Sequence, residues 1–215
     1  MTGIARSTRS HTRRSQPATF QVRVHLDDAK PPIWRRLLLS SELMLDELHA
    51  VLQQAMGWTD SHLHQFLVGE NKVDRFAEQF HMQFMLDEGA DGVLENRVRL
   101  DELPAEPKDR LFYRYDFGDG WEHTLVMEKV LPRADDEPPA LCIGGARACP
   151  PEDCGGIWGY HHLLQDLGIP PPPAGSDDRP QGRARRIRSH LFLGRGDQRR
   201  PARSRRTAGA DSRGR

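Results

Sequence analysis

Asp116, Asp119, Glu122 and His123 crowd into the nine residues Tyr115-Asp116-Phe117-Gly118-Asp119-Gly120-Trp121-Glu122-His123, beside two turn-forming glycines. Carboxylates and an imidazole gathered at a turn are the groups that hold a divalent ion or move a proton. A second histidine pair, His62 and His64, stands two apart, a spacing that puts both side chains on one face of an extended segment. Two chemistries follow. In the first, His62, His64, Asp119 and His123 are candidate metal ligands, and the turn from Asp116 to His123 serves a metal-dependent hydrolase or nuclease. In the second, His62, His64, Asp116, Asp119, Trp121, Glu122 and His123 form a binding surface with no reaction at all. Each residue also has a structural duty to weigh: Asp119 and Gly120 as turn formers, Trp121 in the core, His123 in a strand-to-strand hydrogen bond.

Cys142, Cys149 and Cys154 make a third cluster, followed by Gly155-Gly156. A zinc site here would need a fourth ligand such as His123 or His161, and paired Cys-x-x-Cys knuckles are absent, so buried thiols packing a loop are expected. Pro150-Pro151-Glu152-Asp153 is expected to stiffen that loop. Trp34, Trp58, Trp121 and Trp158 read as core or groove aromatics.

The elements that must position these groups are legible from periodicity. Phe20, Val22, Val24 and Leu26 alternate with polar residues, the mark of a half-buried strand, and Ile33 to Leu39 resume as a second strand after Lys30-Pro31-Pro32. Leu45, Leu48, Leu52 and Ala55 or Met56 share one face of a helix that Ser40 or Ser41 would cap and Gly57 would end. Residues 63–68 and 80–86 read as strands, and 111–117 with 122–131 as a hairpin about Gly118-Asp119-Gly120. Beyond Pro132 a proline- and cysteine-rich loop leads to a short helix over 160–167, ended by Gly168 and a run of four prolines. The sum is an α+β fold, a largely antiparallel sheet with helices packed on one side.

Charge divides the chain further. Net charge is zero over 215 residues, yet residues 1–17 hold four Arg and no acid, residues 18–176 hold 14 Lys and Arg against 27 acids, and residues 177–215 hold 13 Arg against four Asp. The expectation is a disordered basic tail over 1–17, one acidic domain over 18–175 and a disordered Arg-rich tail over 176–215. An acidic body repels phosphate backbones, so nucleic acid would be bound through the tails only. No apolar run is long enough to cross a membrane, no secretory leader is evident, and the odd cysteine count favours reduced thiols, which together point to the cytoplasm.

Pro31-Pro32-Ile33-Trp34-Arg35-Arg36, the segment Gly57 to Phe66, the turn Tyr115 to His123 and Cys149 to Gly156 with Gly159-Tyr160, in this order, resemble the plasmid pRiA4b ORF-3-like family, also labelled as TnpR-type passenger proteins of insertion elements. The resemblance runs over about residues 18–168. It implies an α+β domain commonly found on plasmids and mobile elements, with no established catalytic mechanism; the binding surface would take a protein or mobile-element-encoded partner, and the sequence names no cofactor. The resolvase label finds no support in the residues, since neither a tyrosine- nor a serine-recombinase constellation can be assembled. Asp116-Phe117-Gly118 likewise lacks the phosphate loop and catalytic loop of a kinase.

The resemblance also implies an acidic, helical C-terminus containing a stretch like Gly-Glu-Phe-Asp-Pro, where this chain turns arginine-rich. Arg185-Arg186-Ile187-Arg188-Ser189-His190 can be encoded by codons that, read one base later, give Gly-Glu-Phe-Asp-Pro-Thr. A frameshift between about Pro170 and Arg185 would therefore make residues 177–215 an out-of-frame tail. Sequencing the gene is expected to show those codons; a tail whose codons give no such reading in the shifted frame sinks the frameshift.

Overall fold

The computed structural model describes residues 13–169 and the backbone of residues 185–186. The expectations for the two tails therefore fall largely outside the described residues. Within them, the Arg13 side chain pairs with Glu102, while Arg14 reaches Glu106 at 3.2 Å and the carbonyl of Ala105 at 3.2 Å. These two arginines are engaged with the acidic body.

Nine strands form one sheet: β1 (Ala18–Leu26), β2 (Ile33–Ser40), β3 (His64–Val68), β4 (Glu78–His81), β5 (Val93–Leu94), β6 (Arg110–Tyr115), β7 (Trp121–Pro132), β8 (Ala140–Ala146) and β9 (Arg185–Arg186). Their order is β5-β4-β3-β6-β7-β1-β2-β8-β9, antiparallel except for β4 with β5. The helices are α1 (Leu45–Met56), α2 (Gln83–Asp87) and α3 (Gly156–Asp166), and two single 3-10 turns cover Glu95–Arg97 and Leu100–Glu102. The fold is α+β with a mostly antiparallel sheet.

Register sorts the strands into an inner and an outer face. Val22, Val24 and Leu26 stand opposite Met127, Leu125 and His123, which in turn align with Leu111 and Tyr113 of β6. Tyr113 and Tyr115 then stand opposite Phe66 and His64 of β3. This inner face joins Leu45, Leu48, Val51, Leu52 and Met56 of α1 in a single buried cluster, against which Ile157 and Tyr160 of α3 also pack. Burying apolar area of this kind, at roughly 25 cal/mol per Å², is what holds helix and sheet together.

Three expectations change in detail. Ser40 and Ser41 do not cap α1: the Ser41 hydroxyl accepts the Ala18 N–H at 3.0 Å, and the helix starts after Met44, whose N–H is taken by the Glu47 carboxylate at 2.9 Å. Gly57 does end it, at φ 90° with its N–H on the Gln53 carbonyl. Residues 80–86 are not one strand but the end of β4, which closes at His81, followed after the extended Met82 by α2. A strand, β8, occupies what reads as loop. Its Gly145 lies against β2, where a β-carbon would stand 2.8 Å from both the Trp34 carbonyl and the Arg35 side chain, so the glycine that discourages a strand in sequence is required by the close approach.

Candidate functional site

The sheet brings three sequence-distant segments to one end of the inner layer: the α1–β3 loop, the β6–β7 turn and the loop of residues 147–155. Tyr115, the last residue of β6, joins them. Its hydroxyl accepts the Ser61 N–H at 3.0 Å and donates to Glu152 at 2.5 Å, and the other Glu152 oxygen accepts the Thr59 N–H at 2.9 Å and hydroxyl at 2.6 Å. Burial would push the Glu152 carboxyl up, but the bonds from Thr59 and Tyr115 hold it below the usual range. Burial and the neighbouring carboxylate raise the Tyr115 phenol well above its ordinary value. Trp58 adds a bond from its indole N–H to the Pro150 carbonyl at 2.9 Å.

The turn itself is held by Asp116. With φ at 56°, it accepts the N–H of Gly118 at 3.0 Å and of Asp119 at 3.3 Å on Oδ1, leaving Oδ2 at 3.6 Å from His62 Nε2. His62 Nε2 is also 3.2 Å from Asp153 Oδ1. Asp119 accepts the Gly155 N–H at 3.1 Å, and Gly156 stands so close to the Asp119 carbonyl that a β-carbon would come within 2.2 Å. The loop of residues 147–155 is thus clamped onto the turn. Cys149 packs in the same region, its sulfur 3.3 Å from Arg35 Nη2 and 3.2 Å from Met56 Sδ, and burial pushes its thiol up to about 11. All three cysteines are unpaired.

On the inner face lies a buried polar group. His49 of α1 contacts the Tyr113 hydroxyl at 2.8 Å and Asp60 at 2.7 Å, while His64 contacts Glu95 at 2.8 Å. The two imidazoles stack with centroids 3.5 Å apart and planes 3° from parallel. Burial lowers His49, and the bond from His49 lowers Asp60. Nearby, His123 is fully buried against Trp58 and Tyr113. Neither ring nitrogen of His123 meets a partner in hydrogen-bonding geometry, although the backbone of Tyr113 and Trp121 lies close enough to temper the shift. Desolvation drives the His123 imidazole down to about 3.

The outer face carries Glu122, held by Arg114 Nε at 3.0 Å and Lys72 Nζ at 2.7 Å. Here the charges of Glu122, Asp27 and Asp28 outweigh desolvation and raise the Lys72 ammonium. Gln65, Arg114, Asp116, Phe117, Gly120 and Glu122 line an open cleft of about 430 Å³, with Phe117 exposed at its rim.

The residues singled out in sequence thus divide among three places. His62 and Asp116 meet at the junction, with Asp119 beside them holding Gly155. His64, Trp121 and His123 are buried on the inner face, and Glu122 faces outward. Among the described residues, two groups have ligand atoms within 4.8 Å of one another: His49, Asp60 and His64, and His62, Asp116 and Asp153. In the first, parallel stacked rings aim their in-plane lone pairs side by side rather than at a shared point, which suits a hydrogen-bonded network better than one ion. His49, Glu95, Glu152 and Asp153 did not stand out as site residues in the sequence. Glu152 and Asp153 lay within a quoted motif, but nothing in their spacing ties them to partners over 30 residues away.

Comparisons with known proteins show the family and the fold. The family described as plasmid pRiA4b ORF-3-like protein matches residues 18–178, ending where the acidic body gives way to arginine-rich sequence. An uncharacterized protein, y4hQ, of Sinorhizobium fredii is 37% identical over 158 residues, which cover 71% of this chain and 75% of that one. The crystal structure of a protein of unknown function, MM3350, from Methanosarcina mazei Go1 superposes with a TM-score of 0.61 at 31% identity, over 72% of this chain and 83% of the other.

Two outcomes follow from the geometry. His123 titrates near its ordinary value of 6.5 when unfolded and at about 3 when folded, so its contribution is complete above pH 6.5 and declines as pH falls from 6.5 toward 3. Unfolding free energies from urea titrations at pH 7 to pH 4 should fall more steeply for the natural chain than for His123→Phe, by up to about 1.4 kcal/mol per pH unit; parallel curves would refute the assignment. Gly156→Ala, with φ at 66° and no room beside Asp119, should undock the 147–155 loop and raise amide exchange at Gly155 while leaving that of β1 unchanged.

Proposed function

The chain belongs to the plasmid pRiA4b ORF-3-like family, and from that premise we propose that it is a non-catalytic interaction domain, an accessory protein of plasmids or transposons that recognises a protein partner through the face of the β6–β7 turn. One observation carries the reading. The titratable residues of the turn spread over an open cleft, a loop junction and the buried inner face instead of converging on a reacting centre. The cleft offers an exposed Phe117 beside Asp116 and Glu122, with Arg114 paired to Glu122 and Lys72 held among Glu122, Asp27 and Asp28. That surface suits a partner segment with an apolar side chain flanked by basic residues. The excess of acids in residues 18–176 disfavours nucleic acid on the body and assigns any phosphate contact to the arginine-rich ends.

A metal-dependent hydrolase or nuclease ranks second, favoured by the meeting of His62, Asp116 and Asp153 at the edge of the same cleft. We also place the protein in the cytoplasm, where three unpaired thiols are at home; no helix among the described residues is long and apolar enough to cross a membrane.

Phe117→Asp tests the partner reading, because the side chain is half exposed and its loss leaves the core intact. A protein that co-purifies with the natural chain should be recovered at least about tenfold less with the variant at an unchanged melting temperature. Equal recovery, or no specific partner for either protein, overturns the proposal.

A further inference from the structure

The junction between the turn and the 147–155 loop contains a nitrogen without a satisfactory partner. His62 Nε2 is shielded from solvent, and no group meets it in hydrogen-bonding geometry, although carboxylate oxygens of Asp153 and Asp116 stand 3.2 and 3.6 Å away. A protonated imidazole placed between two carboxylates would be expected to aim its N–H at one of them. The 3.6 Å separation has the length of an edge of a tetrahedral coordination polyhedron, and the 3.2 Å separation is just short of it. Bonds of about 2.0–2.2 Å to a tetrahedral ion put neighbouring ligand atoms about 3.3–3.6 Å apart.

We propose that His62, Asp116 and Asp153 form a divalent-cation site, of a type suited to Zn²⁺ or Mn²⁺, that pins the 147–155 loop to the β6–β7 turn at the rim of the cleft. The ligand set mixes one imidazole with two carboxylates, which favours these ions over Mg²⁺ or Ca²⁺, whose sites are built from oxygen. Surrounding groups orient each ligand. Asp116 Oδ1 is occupied by two backbone N–H groups, which turns Oδ2 toward His62, and the His62 ring packs edge-on to Tyr115 with centroids 5.8 Å apart. The other carboxylates of the junction have donors of their own: Asp119 takes the Gly155 N–H, and Glu152 takes Thr59 and Tyr115. Three protein ligands leave a coordination position for water, or for a carboxylate of a docked segment, beside the cleft that Asp116 lines. The site does not rest on the partner reading and is tested by a different measurement.

The full-length chain, stripped with chelator, is titrated calorimetrically with Zn²⁺, and with Co²⁺ for its visible absorption. One equivalent should bind and raise the melting temperature. Asp153 is largely exposed, so Asp153→Asn leaves the fold intact and should weaken binding at least about tenfold, the usual scale for a disturbed metal site. Asp60→Asn, at the exposed edge of the neighbouring His49–His64 group, should bind as the natural chain does. No binding, or stoichiometric binding that survives Asp153→Asn, overturns the site, as does loss of binding in Asp60→Asn alone.

Discussion

The inner face of β1, β2, β6 and β7 must leave water, and α1 is the element that covers it. Phe20, Val22 and Val24 from β1, Leu37 and Leu39 from β2, Leu111 and Tyr113 from β6 and Leu125 from β7 present one continuous apolar surface. Leu45, Leu48, Val51 and Leu52 close over it. Because strand side chains alternate, this burial also fixes register, and a slip of one residue would turn Val22, Val24 and Leu26 outward. Everything polar in the molecule is placed relative to that layer.

The polar chemistry collects where the layer ends. Beyond Phe66 and Tyr113 the inner face changes to His64, Tyr115, Trp121 and His123, and α1 meets it with His49 and Gln53. Buried polar groups are tolerated when paired, and most are: Tyr113 takes His49 and Gln53, His64 takes Glu95, and Tyr115 takes Ser61 and Glu152. On this face His123 and the Trp121 indole N–H meet no partner in hydrogen-bonding geometry, and His123 is kept neutral in an aromatic wall formed by Trp58 and Tyr113. Such a network specifies how the three loops assemble, and its outer edge, at His62, Asp116 and Asp153, is where an ion would add to that assembly.

Acidic groups outside this network are handled by close pairing. Glu128 accepts from Arg36 Nε at 2.7 Å and Nη2 at 2.8 Å and from Gln21 at 2.6 Å, while Arg23 and Arg36 stack over Trp34. Among the described residues these contacts cover the outer face of β1, β2 and β7 without a second helical layer. They also leave the cleft between Arg114, Phe117 and Glu122 as an open feature of that face.

Local pattern by itself determined β1, β2, α1, β3 and the β6–β7 hairpin, because each carries a period of 2 or 3.6 or a glycine turn that needs no distant partner. It does not predict β8, whose Gly145 answers to the close approach of β2, and it reads residues 80–86 as one strand where the chain leaves β4 for α2 after His81. The same division holds at the site. Turn duties for Asp119 and burial of Trp121 were legible, whereas the sorting of His62 from His64 was not. Two residues apart, they diverge because β3 begins at His64, which enters the inner face beside His49, while His62 precedes the strand and turns to Asp116 and Asp153. Contacts across 54 and 91 residues are decided by packing, and only the assembled sheet could bring those groups together.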